Sequence, residues 1–136
     1  MKTRLSILNY ATALVFLPLI FTMEGCIGDV VSIPKKVDGM PNTFRATVRT
    51  VGERVLGVTV YDYASEEPAV AWHIDAVADI SARGFRVSAG IVPPGFTQTI
   101  PSPPTKFQPV SGREYGILIR TNARSIHTGP ANWVAE

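Results

Sequence analysis

The chain of 136 residues has one cysteine, Cys26, and only two histidines, His73 and His127. One cysteine cannot close an internal disulfide. The two histidines stand far apart and no carboxylate joins them at a tight ligand spacing, so no zinc-type motif is present and no metal or cofactor is implied. Charge of one sign is also lacking. The 13 basic and 11 acidic residues nearly balance and form no long run, so the clustered basic face that announces a nucleic-acid binder is not visible in the sequence. No G-x-S-x-G elbow and no glycine-rich phosphate loop occurs. Long apolar runs are missing as well. The longest unbroken one, residues 13–21, has 9 residues, against the roughly 20 that span a bilayer. Pro18 lies inside it and would kink a helix by removing a backbone donor.

What is there begins with Lys2 and Arg4, followed by a mainly apolar stretch over residues 5–23. A positive n-region followed by an apolar h-region is the pattern of an export signal. Met23-Glu24-Gly25-Cys26 closes that stretch. This tetrapeptide resembles the lipobox of bacterial lipoproteins, with Gly25 as the small residue before the cysteine. Met23 replaces the usual leucine, and Glu24 departs from the small or apolar residue usual at its place. The resemblance implies cleavage before Cys26, a diacylglyceryl group on its thiol, and often acylation of the new amine. One acyl chain binds a membrane marginally, whereas two or three anchor stably. Ile27, where an aspartate would favour inner-membrane retention, implies the outer membrane, with the domain facing the periplasm.

These features divide the chain into a signal segment 1–25, a lipidated cysteine and tether 26–42, and a domain 43–136. The tether carries Gly28, Pro34, Gly39 and Pro41 without sustained periodicity. A flexible segment of this length spans about 20–24 Å on average.

From Phe44 onward the apolar period is two. "FRATVRTV" places Phe44, Ala46 and Val48 on one face, and "RVLGVTVYDY" groups Leu56, Val58 and Val60. With a turn at Gly52-Glu53 the two read as a β-hairpin. "AVAWHIDA" groups Val70, Trp72 and Ile74, and "FRVSAGIV" groups Phe85, Val87, Ala89 and Ile91. In Pro93-Pro94-Gly95-Phe96, Pro94 presets φ and Gly95 accepts the positive φ of a type II turn. "FTQTI", "REYGILIRTN" and "ANWVAE" complete the strands, and the prolines of "PSPPTKFQP" suit an edge or loop. "DAVADISARG" is the one helical competitor, with Asp75 as an N-cap and Gly84 as a terminator.

About seven short strands at this spacing predict an all-β sandwich after an N-terminal signal helix. Trp72 on the third strand sits where immunoglobulin-like domains bury a tryptophan between sheets. "FQPVSGREYGILIRT" resembles the approach to the sixth strand of fibronectin type III-like domains. That resemblance implies that Tyr115 is a corner tyrosine whose hydroxyl bonds backbone a few residues upstream. The inter-sheet cysteines of antibody domains are absent.

Candidate chemistry is sparse. His73 and Asp75 share one strand face, about 6.6 Å apart along it. With a serine such as Ser88 they would suggest a minor hydrolase, but the pattern fits a solvated strand face better. Phe96 and Pro94 form the most distinctive stretch. They would serve either as a partner-docking ridge or, with Phe96 in the core, as an edge guarded by proline. The expectation is a lipid-anchored envelope protein that binds or supports rather than catalyses, without nucleic acid. A hydrolase using His73 and Asp75, or an accessory subunit of a larger envelope complex, are its alternatives.

Overall fold

The computed structural model describes residues 34–64, 66–123 and 130–136. The expected signal helix, Cys26 and His127 lie outside these residues. Eight strands are described: β1 Lys35–Lys36, β2 Thr43–Arg45, β3 Val55–Asp62, β4 Ala69–Ala76, β5 Arg86–Ser88, β6 Phe96–Ile100, β7 Glu114–Thr121 and β8 Ala131–Val134. They form an antiparallel three-stranded sheet, β1-β2-β5, and an antiparallel five-stranded sheet, β6-β4-β3-β7-β8. Among the described residues there is no helix, and the fold is all-β and sandwich-like.

The expected hairpin does not form. β2 pairs with β1 and β5, whereas β3 is the centre of the other sheet. After Arg45 the chain leaves the ladder and crosses between sheets. Glu53, only 3 % exposed, holds the crossing: its carboxylate accepts from the Arg49 N–H at 3.1 Å and the Thr121 hydroxyl at 3.0 Å. Alternation reports which residues face inward, not which strand lies alongside.

The helical competitor is also absent. Residues up to Ala76 continue β4, Ser81 bridges Arg54, and the Ala82 N–H bonds the Glu53 carbonyl at 2.9 Å. These long-range backbone bonds replace those a short helix would have made. The turn before β6 is as expected, with Gly95 at φ 83°.

Two bulges correct the inward sets. A register shift between Val55 and Gly57 turns Leu56 outward and buries Val55 instead. A second shift, at Val60 and Tyr61, separates Val70 from Trp72 and Ile74, leaving Val70 exposed while the other two are fully buried. An extra residue on one strand inverts the alternation beyond it.

The core joins Phe44 and Val87 of the smaller sheet to Val58, Val60, Trp72, Ile74, Tyr115, Ile117 and Trp133 of the larger. Aromatic rings run through it in sequence. Phe44 meets Trp133 edge-on at 4.8 Å, Trp133 lies 5.4 Å from Tyr115, and Phe107 sits between Tyr115 at 5.7 Å and Trp72 at 6.4 Å. Both indoles find acceptors, Trp72 Nε1 at Gln98 Oε1 (3.0 Å) and Trp133 Nε1 at Asn42 Oδ1 (3.1 Å). The Tyr115 hydroxyl accepts from the Val110 N–H, five residues upstream, at 3.0 Å. Tyr115→Phe should therefore cost about 1 kcal/mol in a denaturant titration, the worth of one such bond.

Candidate functional site

β3 runs between β4 and β7, so its outward side chains have neighbours on both sides. Thr59 lies opposite His73 on β4 and Leu118 on β7, while Gly57 lies opposite Asp75 and Arg120. This register builds a polar chain across the outer face. Thr59 Oγ1 lies 2.7 Å from His73 Nδ1, His73 Nε2 is 3.1 Å from Asp75 Oδ1, and Arg120 Nη2 is 3.5 Å from the same oxygen. Gly57 makes the last contact geometrically possible. A Cβ there would lie 3.3 Å from Asp75 Oδ1 and 2.8 Å from the Ile74 carbonyl, between the two partners.

The ionised Asp75 carboxylate only accepts, so Nε2 of His73 donates to it and Nδ1 accepts from the Thr59 hydroxyl. A protonated ring would donate from both nitrogens to the same two oxygens. Each state is satisfied, which suits a structural polar ladder.

The order hydroxyl–imidazole–carboxylate also matches a nucleophilic triad. Two features of the surroundings do not suit that use. The backbone N–H groups around Thr59 belong to a strand paired on both sides, so they are not free to receive an oxyanion. Thr59 is also held within regular strand, without the strained turn that exposes a nucleophile. Ser88 is elsewhere: its hydroxyl meets the Thr43 hydroxyl at 2.8 Å on the other sheet.

Beside this chain on the larger sheet, Tyr61, Tyr63, Pro68, Leu118 and Pro130 line an open, largely apolar hollow of about 230 Å³. Tyr63 packs over Gly116, where any side chain would collide with its ring. Burial pushes the Tyr63 phenol above its ordinary value, and the charge of Glu114 and the neighbouring Tyr61 push the same way. The phenol is therefore a protonated donor at neutral pH.

The structure places the remaining sequence candidates as follows. Phe96 is buried at 9 % exposure and stacks on Phe85 at 5.4 Å, so its ring belongs to the core; Pro94 beside it is exposed. Cys26 and His127 lie outside the described residues. Among the described residues no group of three or more histidines, cysteines and carboxylates could hold a metal, and no helix is long and apolar enough to cross a membrane. Thr59 and Arg120 were not visible in the sequence as neighbours of His73 and Asp75, because cross-strand register brings them together.

Comparison with protein-family models, with curated proteins and with solved structures gives no match.

Proposed function

We propose that the chain is a bacterial lipoprotein whose immunoglobulin-like or fibronectin type III-like domain binds or supports a protein partner in the cell envelope. The observation that carries this reading is the junction Gly25-Cys26, where the apolar run behind Lys2 and Arg4 ends on the sole cysteine. A thiol at that place is where diacylglyceryl transfer requires it. The Tyr115 hydroxyl bond to Val110 and the fully buried Trp72 support the finer fold type, since both features mark such sandwiches. Ile27 supports the outer membrane as the destination.

Cys26→Ser tests the anchor. The variant should leave the membrane fraction or accumulate as an unprocessed precursor, whereas unchanged processing and membrane retention would contradict it.

A second reading, a hydrolase, is favoured by one observation, the Thr59–His73–Asp75 hydrogen-bond chain. On the binding reading, His73→Ala and Asp75→Ala each cost about 1 kcal/mol of stability at most and abolish no turnover. A panel of ester, peptide and glycoside substrates decides between them. Turnover by the purified protein that disappears in His73→Ala would favour the hydrolase.

A further inference from the structure

The smaller sheet carries a row of three like charges. Lys35 on β1 lies directly opposite Arg45 on β2, and Arg45 lies directly opposite Arg86 on β5. Directly opposed residues share a face. All three are exposed, and the next residues along β2 and β5, Phe44 and Val87, point into the core. With strands about 4.8 Å apart, the row spans about 10 Å.

Like charges directly opposite one another destabilise a sheet, so the row is a cost to folding. Four other cations of the described residues are matched by carboxylates, while Arg49, Arg83 and Lys106 stand apart from one another in sequence without an ion pair. Arg54 pairs with Asp79, Arg113 with Asp62, Arg120 with Asp75 and Lys36 with Glu136. No carboxylate among the described residues pairs with Lys35, Arg45 or Arg86. Two shallow grooves flank the row, of about 290 and 180 Å³; Thr47 and Phe85 help line the first, Val37 and Asp38 the second. The outcome is an exposed cationic strip that opens to solvent on both sides.

Its place in the chain selects an occupant. Lys35 stands nine positions after Cys26 (35 − 26). Even fully extended, that length reaches about 30–32 Å. A lipid on Cys26 therefore keeps the row within one domain diameter of the headgroups. Because the three charges share one sheet face, all of them can lie within one Debye length, about 8 Å at physiological salt, of an anionic surface laid against that face. Stable anchoring takes two signals, acyl chains plus a polybasic patch being one such combination.

We propose that the Lys35–Arg45–Arg86 row docks the three-stranded sheet on the anionic phospholipid surface to which Cys26 is anchored. The docked orientation presents the opposite sheet, with its Tyr61–Tyr63 hollow, away from the membrane. This rests on the lipoprotein reading, and its test separates the two.

The full chain, purified from membranes, is reconstituted in vesicles containing a dansyl-labelled lipid. One set is phosphatidylcholine alone; the other adds phosphatidylglycerol. Energy transfer from Trp72 and Trp133 to the dansyl groups reports how close the domain lies. Transfer should be higher in the anionic vesicles at low salt and fall to the neutral-vesicle value at about 0.5 M salt. The triple substitution Lys35→Gln, Arg45→Gln, Arg86→Gln should reduce the docked-to-undocked ratio by about a hundredfold, and the charge reversal to Glu by more. Thermal melts of each variant confirm folding, and either single substitution Arg45→Gln or Arg86→Gln supplies a smaller step should the triple variant fail to fold.

Equal transfer in both vesicle types, or a gain that survives the triple substitution, overturns the proposal. So does a row that binds inorganic phosphate or polyphosphate but gives no gain with phosphatidylglycerol. Mass spectrometry of the same sample decides the lipid on Cys26 independently. If Cys26 is unmodified, the anchor fails. Cosedimentation of that unmodified chain with phosphatidylglycerol vesicles then decides the row: salt-sensitive binding lost on substitution upholds it, and no binding overturns it.

Discussion

Trp72→Ala should lower the stability of the domain by about 3–5 kcal/mol, the usual cost of removing a fully buried tryptophan. Trp72 is 0 % exposed and projects from β4 into the space between the sheets. Its ring faces Phe107, and its indole N–H donates to Gln98 Oε1 at 3.0 Å. The Gln98 amide in turn donates to the carbonyls of Pro101 at 2.8 Å and Thr105 at 2.7 Å, so the indole also orients the side chain that ties down the proline-rich loop. Alanine removes the ring, leaves a cavity against Phe107 and deprives Gln98 of a partner. For a domain of this size the loss corresponds to a melting point lower by roughly 15–30 °C. Calorimetry checks it. A shift of a degree or two would place the ring outside the core.

Gly90→Ala should be nearly as damaging, at about 3 kcal/mol or more, for a different reason. Gly90 has φ 90°, where an L side chain adds roughly 1–3 kcal/mol of strain. A Cβ there would also collide with the Phe107 carbonyl oxygen, with Pro109 Cδ 3.6 Å away. The obstacle is main chain, which cannot rotate aside as a side chain can. Relief must come from moving Phe107, whose ring sits between Trp72 and Tyr115. Overpacking of this kind typically adds 1–3 kcal/mol to the strain. A denaturant titration should show a lower midpoint at an unchanged slope.

Much of the fold could be read in advance because period two is a local property. β4, β6, β7 and β8 lie where alternation and the turn at Gly95 put them. Tyr115 and Trp72 occupy the core positions that the pattern implied. What alternation could not carry was partnership. The chain from Phe44 to Asp62 reads as a hairpin, yet Glu53 and the bonds of residues 80–85 carry it from one sheet to the other. The bulges at Leu56 and Ala71 were equally hidden, since each depends on what the neighbouring strand does.

The candidate sites divide the same way. His73 and Asp75, two residues apart, could be paired from sequence because strand geometry sets their spacing. Thr59 and Arg120 reach them only through the β3 register, and Lys35, Arg45 and Arg86 are brought into one row by two pairings, 10 (45 − 35) and 41 (86 − 45) residues apart in the chain. Phe96 took the core position because it begins β6 opposite Ala76, on the inward face beside Phe85.

The anchor at Cys26 is tested most directly by intact-mass and N-terminal peptide spectrometry of the protein extracted from its native membrane. A mature chain beginning at Cys26, its thiol carrying a diacylglyceryl group, is the expected result. A free Cys26 thiol in a chain that begins elsewhere would contradict it.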